Sequence, residues 1–532
     1  MIPIVVQPLF TLLAATLVVP IIGMISRRLG IKKLREIIVI GAFTLAFFFT
    51  YQLHTEVSTA GARDFTFGVF SQALGGVQLY VDKLSVYMAF IFCGLGLSIA
   101  VYSYKYMELD TGLDEYYVLL LILVAGMIGV VFSGDLFNLY VFWELMCISS
   151  YSLVSFRKQD WEPVEAGFKY LVMSTVGALL VLFSISLLYS ITGTVNFREM
   201  AAIMNRGYLS SNSITLLTPS IGSSTNILSV NLTTIYFTIG MLIIGFGVTA
   251  SIVPLHSWLP DAHPAAPSSI SAMLSGAVIK VGVYAMIRSL FTIFNPASFD
   301  YGTILIISGL VTASVANVMA LLQSDIKRLL AYSSIVNIGF IVVSFGFGAY
   351  ILNHYPAATS LYLAASAIMA ALFHILNHAI GKGLLFLSAG CFVHELNTRD
   401  ITRLEGVGRK MPWAGMSLLI GLFALAGVPP LNGFWSKLFI IFASFGLPSD
   451  SFMVAAGVIL VLNSVFAASY YLWLAQRIMF KKMKHVGAEN FRSSASMVIS
   501  VIVLALACII IGLWPRYAIS LAEDAAKALL GV

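Results

Sequence analysis

Five ionisable side chains lie inside stretches of sequence that are otherwise apolar enough to cross a membrane: Glu144, Lys169, Lys280, Lys382 and Lys437. An ionised side chain at the centre of a bilayer costs at least about 2.5–3.5 kcal/mol on insertion scales, so such residues are rare and usually face a partner or water. These five belong to five different predicted helices. Their number and spread predict a route for ions through the membrane.

Most of these residues also have a simpler interpretation. Glu144 could form a static ion pair that holds two helices together, whereas a carboxylate with a mobile basic partner would act as a proton carrier. Lys169, close to Glu165, could extend to the membrane interface, and Lys437 could do the same from the end of its helix. Lys280 lies deep among small and apolar residues. It is therefore the strongest carrier candidate in the first half of the chain.

Two histidines precede one of the lysines at helical spacing. His374, His378 and Lys382 follow one another at intervals of four residues, which places them on one face of a helix. Histidine titrates near neutral pH, so this line of titratable groups could relay protons. Two histidines at this spacing also suit a metal ion, but no H-E-x-x-H pattern or second set of ligands accompanies them. We therefore predict no metal site.

The sequence gives no sign of a bound cofactor. Cys93, Cys147, Cys391 and Cys508 lack C-x-x-C spacing, which argues against an iron–sulfur cluster, a structural zinc site or a disulfide framework. No G-x-x-x-x-G-K-[ST] run occurs, so a P-loop ATPase is not predicted. The chain itself offers no redox or hydrolytic site. Whether it is a subunit of an ion-translocating oxidoreductase stays open.

Composition predicts an all-α integral membrane protein. The 532 residues are 59% hydrophobic and 10% charged, compared with about 25% charged in soluble domains. A spanning helix needs about 20 mostly apolar residues. On that rule we expect a single polytopic membrane domain over 1–532 with about fourteen spans: 4–24, 36–53, 84–104, 116–133, 136–155, 165–190, 233–252, 267–291, 301–322, 328–349, 358–391, 412–445, 452–476 and 495–514.

Loop charge predicts the orientation in the membrane. The loop after the first span holds Arg27, Arg28, Lys32, Lys33 and Arg35. Lysine and arginine accumulate on the cytoplasmic side, and loops that alternate from this one carry most of the 30 basic residues. We therefore expect both termini on the non-cytoplasmic side of the cell membrane. This bias also explains the net charge of +6 without nucleic acid.

Two helices are interrupted at matching positions. One break contains Pro254, after the seventh span, and the other contains Pro429 and Pro430, within the twelfth. Proline removes a backbone donor, although membrane helices often contain it without function. The breaks lie five helices apart, which predicts two five-helix repeats and points to a transport site. The corresponding divisions are 1–115 for the first three helices, 116–291 and 301–476 for the repeats, and 495–514 for the last helix.

Five motifs, in this order, resemble the antiporter-like subunits of respiratory complex I, Mrp-type multisubunit sodium/proton antiporters and membrane-bound hydrogenase-related complexes. The resemblance implies two inverted repeats, helices 4–8 and 9–13, with broken helices 7 and 12 and a polar axis through the membrane centre. It also implies that Glu144, Lys280 and Lys437 match the family's glutamate on helix five and its lysines on helices eight and twelve. The motifs are D-L-F…F-W-E-L-M from 135, P-L-H-S-W-L-P-D-A-H from 254, D-I-K-R-L-L-A-Y-S-S from 325, F-H-I-L-N-H…K from 373 and G-V-P-P…G-F-W-S-K from 427.

The chain departs from the family pattern at two positions. Thr249 stands where the family usually has a lysine, seven residues before the histidine of the helix-seven motif. Glu144 then lacks its expected partner, unless Lys169 or Lys280 replaces it. Asn337 stands where relatives often carry a histidine, and an asparagine can hold water in a chain but does not titrate.

These observations lead to competing functional hypotheses. The first is a proton- or sodium-translocating subunit of a larger membrane complex, in which half-channels are joined by a central line of Lys, His and Glu residues. The second is a non-conducting structural or coupling subunit, suggested by Thr249. A stand-alone transporter of an organic substrate is the third. Expected partners are other membrane subunits, including redox subunits in some complexes, together with H+ or Na+ and the lipid bilayer; nucleic acid is not expected.

Overall fold

The fold is a bundle of long apolar helices. The computed structural model describes residues 3–29, 33–68, 76–209, 213–219, 225–483 and 494–532. The helices of the first half are α1 (Gln7–Leu29), α2 (Leu34–Ala60), α3 (Lys83–Tyr106), α4 (Leu113–Phe132), α5 (Leu136–Val154), α6 (Trp161–Thr192), α7 (Phe197–Asn205), α8 (Leu232–Ala250), α9 (Leu259–Ala265), α10 (Ser268–Met273) and α11 (Ile279–Ile293).

The second half continues the bundle and adds one surface helix at the end of the chain. Its helices are α12 (Gly302–Leu321), α13 (Ile326–His354), α14 (Ala357–Leu396), α15 (Val407–Lys410), α16 (Pro412–Ala426), α17 (Asn432–Phe445), α18 (Ser451–Ala475), α19 (Ala495–Leu513) and α20 (Arg516–Leu530). Two π-helical turns, Leu274–Val278 and Gln476–Phe480, follow α10 and α18.

The prediction of an all-α membrane protein is confirmed. Among the described residues, 12 helices are long and apolar enough to cross a membrane. Two predicted spans lie outside that set: 136–155, which corresponds to α5, and 412–445, which the structure divides into α16 and α17. The exact count of fourteen therefore stays a prediction.

Small β elements and two amphipathic helices mark one end of the bundle, which we call the β face. It contains the hairpin β1 (Arg63–Phe67) and β2 (Val77–Val81), the sheet β3 (Tyr208–Leu209), β4 (Ser213–Pro219) and β5 (Thr225–Asn231), and α7 and α20. All of these pairings are antiparallel. The Ser, Thr and Asn content of 191–232 predicts an exposed loop, but the described residues of this range include α7 and the three strands of this sheet.

Helix α7 forms for two local reasons. The Asn196 side chain accepts hydrogen bonds from the backbone of Arg198 and Glu199, which caps the helix. The helix then buries one apolar face, which includes Phe197 and Met200. The loop prediction was wrong here because a few turn-forming residues concealed this short amphipathic pattern.

Both predicted helix breaks are present. Helix α8 ends before Ser251, and α16 ends before Gly427; both residues adopt the left-handed conformation, with φ of 59° and 89°. Side chains then bind carbonyls in the last turns of the broken helices. The Trp258 indole donates to the carbonyl of Val248 at 2.8 Å. A lysine performs the corresponding role at the second break, as described below.

The second helix of each predicted repeat is capped by an aspartate. Asp135 caps α5, and Asp325 caps α13. Each aspartate also forms an isolated antiparallel bridge with a residue after the next long helix, Asn196 in one case and Asp400 in the other. These positions correspond under the predicted repeat of helices 4–8 and 9–13. The division into repeats itself stays a prediction.

The second break depends on close backbone approach at Gly433. A Cβ at Gly433 would collide with the carbonyl oxygen of Ala424, whereas a Cβ at Gly240 in α8 would meet nothing within 4 Å. We expect Gly433→Ala to destabilise the protein by about 1–3 kcal/mol through overpacking, and Gly240→Ala to stabilise it by about 0.5–1 kcal/mol. Thermal unfolding in detergent measures both. Equal midpoints for the two variants would contradict the packing argument.

Candidate ion-translocation site

Three lysines are buried in the centre of the bundle and bind backbone carbonyl groups. Lys280 and Lys382 have no exposed surface, and Lys437 is 4% exposed. Lys437 donates to the carbonyl of Leu425 at 2.6 Å, and Lys382 donates to that of Leu330 at 2.9 Å. Within the part of the chain that the structure describes, none of the three forms an ion pair with a carboxylate. Carbonyl dipoles therefore compensate these ammonium groups.

Irregular helix geometry supplies two of those carbonyls. Lys280 donates to the carbonyl of Ser275, which belongs to the π-helical turn between α10 and α11. Such turns are rare and often occur at functional sites. Leu425 lies in the last turn of α16, where carbonyls have no helical partner. The ammonium of Lys437 is therefore at the negative end of a helix dipole, which favours a cation.

Serine hydroxyls connect Lys280 to Lys382 across two helices. The hydroxyl of Ser275 is 2.6 Å from that of Ser334 on α13, and either can be the donor. The Ser334 hydroxyl donates to the carbonyl of Leu330 at 2.8 Å. That carbonyl also accepts from Lys382. A continuous line of hydrogen-bonded residues therefore joins the two lysines.

The Leu330 carbonyl accepts from a third side chain. Ser333 also donates to it at 2.8 Å, and Lys382 in turn donates to the Ser333 hydroxyl. The ammonium lies 5.9 Å from the centre of the Tyr471 ring on α18. Lys382 is therefore the point at which residues of α13, α14 and α18 meet.

Asn337 extends this line to His374. The Asn337 amide nitrogen donates to the carbonyl of Ser333 at 2.6 Å, and it lies 3.4 Å from the Tyr471 hydroxyl. Because a carbonyl can only accept, the amide oxygen must point the other way, and it lies 3.1 Å from Nε2 of His374. The geometry thus requires a hydrogen on Nε2. Nδ1 of the same ring is 2.9 Å from the hydroxyl of Ser436, the residue before Lys437.

His378 lies beside His374 but differs in its contacts. The two rings are nearly parallel, with centroids 6.1 Å apart. His378 is fully buried, and neither ring nitrogen makes a hydrogen bond to a described residue. The structure therefore brings the predicted line of His374, His378 and Lys382 together on one face of α14. His374 and Lys382 are joined through Ser333 and Asn337 of α13, and His378 is outside that connection.

Thr249 faces α5 close to Glu144, as the family pattern implies. Its hydroxyl is 4.0 Å from the sulfur of Cys147, which lies one helical turn after Glu144. A lysine at position 249 would therefore point toward the carboxylate. In this chain Glu144 has no ion-pair partner among the described residues, and its buried Oε1 makes no hydrogen bond to them.

Lys169 lies apart from the central line. Its side chain is 49% exposed and pairs with Glu165 at 3.0 Å and with Asp261 at 3.1 Å. This position agrees with the alternative in which Lys169 extends to the membrane interface, because Lys169 is only two turns into α6 and reaches the charged end of the bundle opposite the β face. Neither Lys169 nor Lys280 replaces the missing partner of Glu144 in this structure.

Ion pairs surround a cleft of about 280 Å³ beside the first helix break. Arg328 binds Asp261 at 3.2 Å, and Arg399 binds Glu162 at 2.9 Å and Asp325 at 3.2 Å. Burial alone would lower the pKa of Arg399, but the carboxylates of Glu162 and Asp325 outweigh it and raise that pKa. The cleft is thus lined by acidic and basic side chains that are paired with one another.

Two buried basic residues were missed by the sequence interpretation. Lys327, in the first turn of α13, is 3% exposed and donates to the carbonyl of Ala266 at 2.7 Å. Arg288, near the end of α11, is 4% exposed. Lys327 immediately precedes the predicted span 328–349, and Arg288 lies near the end of the predicted span 267–291, so neither was counted among the membrane-buried charges. Arg288 lies eight residues after Lys280, a helical spacing that could have marked it.

Comparison with known proteins identifies the family. A family described as "NADH:quinone oxidoreductase/Mrp antiporter, TM" matches residues 133–466, and one described as "NADH-Ubiquinone oxidoreductase (complex I), chain 5 N-terminus" matches residues 76–117. The chain belongs to the NADH:quinone oxidoreductase/Mrp antiporter family. The resemblance predicted from its motifs is therefore confirmed.

Curated members of this antiporter family come from several kinds of complex. NADH-quinone oxidoreductase subunit N of Desulforudis audaxviator is 28% identical, over 97% of this chain and 96% of its own length. An Na(+)/H(+) antiporter subunit of Alkalihalophilus pseudofirmus is 30% identical over 91% of this chain, which spans 58% of that protein. Hydrogenase-4 component B of Escherichia coli is 32% identical over 68% of this chain, which spans 50% of that protein.

Solved structures share the same fold. A chain of the membrane-bound sulfane sulfur reductase, an archaeal respiratory membrane complex, is 28% identical with a TM-score of 0.83, covering 99% of this chain and 97% of its own. A chain of the Mrp complex from Dietzia sp. DQ12-45-1b is 20% identical with a TM-score of 0.80, covering 100% of this chain and 98% of its own.

Asn337 should matter for ion movement in this antiporter-family chain beyond its effect on stability. Asn337→Leu leaves the His374 Nε2–H without its acceptor, at a cost of about 1–3 kcal/mol. Asn317→Leu is the matched control, because its amide binds Asn463 between α12 and α18, away from the lysines. We expect both variants to lose stability and only Asn337→Leu to lose ion flux. Equal ion flux for the two variants in reconstituted complexes would refute this role of Asn337.

Proposed function

We propose that this chain is a proton- or sodium-translocating subunit of a larger membrane complex. The observation that carries the proposal is the line of buried residues from Lys280 to Ser436, beside Lys437, because each residue in it is hydrogen-bonded to the next. The family supports it as well, since the relatives include subunits of Na(+)/H(+) antiporters and of respiratory complexes. The driving energy would come from neighbouring subunits or an opposing ion gradient.

The way in which the lysines are held suits a change of charge. Both an ammonium and a neutral amine can donate a hydrogen bond to a carbonyl, so Lys280, Lys382 and Lys437 keep their anchors in either protonation state. A neutral amine also presents a lone pair that can accept a proton. A carboxylate partner would instead favour the charged form. Lysines held by carbonyls can therefore gain and release protons without a helix having to move.

Serine and histidine groups provide the intervening steps. The hydroxyls of Ser275 and Ser334 can each donate or accept, so their hydrogen bond can reverse direction when Lys382 changes its charge. Because the carbonyls of Ser275 and Leu330 only accept, a proton that moves between Lys280 and Lys382 would need water beside these hydroxyls. His374 can carry a proton on Nδ1 as well as on Nε2, and Ser436 then accepts from it. A proton on His374 would thus be relayed to the turn that carries Lys437.

A neighbouring subunit should cover the α5 face that carries Glu144. Phe137, Val141 and Ile148 are each 47% exposed, and they lie on the same side of the helix as the partly exposed Glu144. A carboxylate in the middle of a spanning helix is costly against lipid. We propose that another membrane subunit packs here and shields it. Such subunits would include redox proteins if the host is a respiratory or hydrogenase-related complex.

The remaining organisation is also proposed. The five-helix units are 116–291 and 301–476, related by inversion, after the N-terminal helices of 1–115 and before the helix at 495–514. The β face, with both termini, would lie on the non-cytoplasmic side of the plasma membrane. This assignment places Arg328, Arg399 and Arg477, with most other basic residues, at the cytoplasmic end. Glycosylation or labelling sites added to α20 would test it.

The buried lysines should be essential for coupled ion flux. Lys280→Ala or Lys437→Ala removes a group that carries charge within the line, so we expect flux to be abolished while the complex still assembles. Lys169→Ala is the matched control, because Lys169 is half exposed and outside the line. Proton and sodium movement are measured in liposomes that contain the whole complex. Normal ion flux in Lys280→Ala and Lys437→Ala, with assembly intact, would contradict the proposed role of these lysines.

The alternative, a non-conducting coupling subunit, is tested at Glu144. It is motivated by the absence of a basic partner for Glu144 among the described residues. If the first half conducts, Glu144→Gln should reduce flux, and Thr249→Lys should restore the family's pairing and change the flux again. A coupling subunit would give the same flux in the wild type and both variants. Assembly is checked by the subunit composition of the purified complex.

A further inference from the structure

A cleft of about 510 Å³ opens on the β face, on the opposite side of the bundle from the charged cluster at Lys169. The β1–β2 hairpin, α7 and the ends of α11 and α20 surround it. The end of α20 contributes apolar residues to its wall, whereas the other elements contribute polar side chains, which include Asp64, Tyr80, Asp82, Arg198, Arg288 and Thr292. The cleft is thus a polar recess at the end of a largely apolar bundle.

A buried ion pair lies at the inner side of this cleft. Arg288 binds Asp82 at 2.7 Å, and each side chain is only 5% exposed. Taking such charges out of water costs several kcal/mol per ion, so a buried pair is weak evidence of a stabilising role. The guanidinium also lies 5.5 Å from the centre of the Tyr80 ring. The pair is therefore enclosed on one side by the hairpin and on the other by α11.

One side of α11 leads from this pair to the central lysines. Lys280, Tyr284 and Arg288 are spaced by four residues, so they lie along one side of the helix over about 12 Å. The buried Tyr284 hydroxyl donates to the carbonyl of Val131 at 3.0 Å. Polar groups thus occur at each turn between Lys280 and the cleft. The next residue, Ser289, differs because its hydroxyl donates to the carbonyl of Ala285 in the same helix.

Charges at the mouth of the cleft are already paired with one another. Arg198 on α7 binds both carboxylate oxygens of Asp64 on β1 at 2.9 Å. Its guanidinium also lies 4.1 Å from the centre of the Tyr80 ring. These contacts fix the hairpin against α7. Of the two arginines that the described residues place in the wall of the cleft, Arg288 is the one that pairs with Asp82.

We propose that the cleft is a vestibule for hydrated monovalent cations, and that the Arg288–Asp82 pair is the gate between it and Lys280. A cation that reaches Asp82 competes with Arg288 for the carboxylate. Separation of the pair then connects the vestibule to the polar side of α11. This inference rests on the proposed translocation function and adds an access route on the β face, with two residues that control it.

The experiment measures thiol accessibility in the intact complex. The four native cysteines are all buried, which keeps background labelling by a membrane-impermeant methanethiosulfonate reagent low. Thr292→Cys places a thiol in the vestibule, and Tyr284→Cys places one on the inner side of the gate. Each is combined with Asp82→Asn, which removes the charge but keeps a side chain that can cap α3 in the way Asp82 does at Ser85.

We expect the Thr292→Cys thiol to react from the β face in either background. The Tyr284→Cys thiol should react slowly when Asp82 is present and at least about tenfold faster with Asp82→Asn, because the pair is then broken. Ser289→Cys is the control, and its reactivity should not change. Arg288→Gln breaks the same pair from the other side, and it must give the same acceleration if Asp82→Asn does not assemble.

Two results would overturn the proposal that the Arg288–Asp82 pair is a gate. One is equal reactivity of Tyr284→Cys with and without the pair. The other is an equal acceleration at Ser289→Cys, which would show that the pair only holds α11 in place. Labelling does not require ion flux. A failure of the gate is therefore distinguishable from a failure of the translocation function, which the flux of Lys280→Ala reports.

Discussion

The structure depends on how three ammonium groups are compensated inside an apolar bundle. A buried charge without compensation is not tolerated, and a buried carboxylate partner would hold a lysine in its charged form. Lys280, Lys382 and Lys437 bind carbonyl oxygens instead. Carbonyls in regular helices are occupied by the helix itself. The chain therefore disturbs its helices beside Lys280 and Lys437, whereas Lys382 shares the carbonyl of Leu330 with the regular helix α13.

Two irregularities meet the requirement in different ways. The π-helical turn before α11 makes the Ser275 carbonyl available to Lys280 within the same spanning segment. The break after α16 leaves the carbonyl of Leu425 to Lys437 from the next segment of the chain. The first break uses the same principle with an uncharged donor, Trp258. Helix breaks in this fold therefore serve as binding sites for side-chain donors as well as bends.

Local signals in the sequence were sufficient to find the helices and the central lysines. Apolar length and proline positions predicted the breaks, and four-residue spacing predicted the shared face of His374 and Lys382. Contacts between helices were not predictable, because hydroxyl and amide pairs such as Asn337 with His374 depend on how α13 approaches α14. The sequence left the depth of Lys169 open for a related reason: the depth of a residue depends on where its helix begins, and that boundary is poorly marked in an apolar sequence.

The carbonyl of Leu330 can couple the two halves of the protein. A carbonyl oxygen has two lone pairs, and here three side-chain donors approach it, from Ser333, Ser334 and Lys382. Not all of them can hold a strong hydrogen bond at once, so they compete. A change in the charge of Lys382 alters how strongly the Leu330 carbonyl can accept a hydrogen bond from the serines. Ser334 is also hydrogen-bonded to Ser275, so the change extends to that residue on the neighbouring helix. The two halves of the protein can thus influence each other through competition for one hydrogen-bond acceptor, without movement of the backbone.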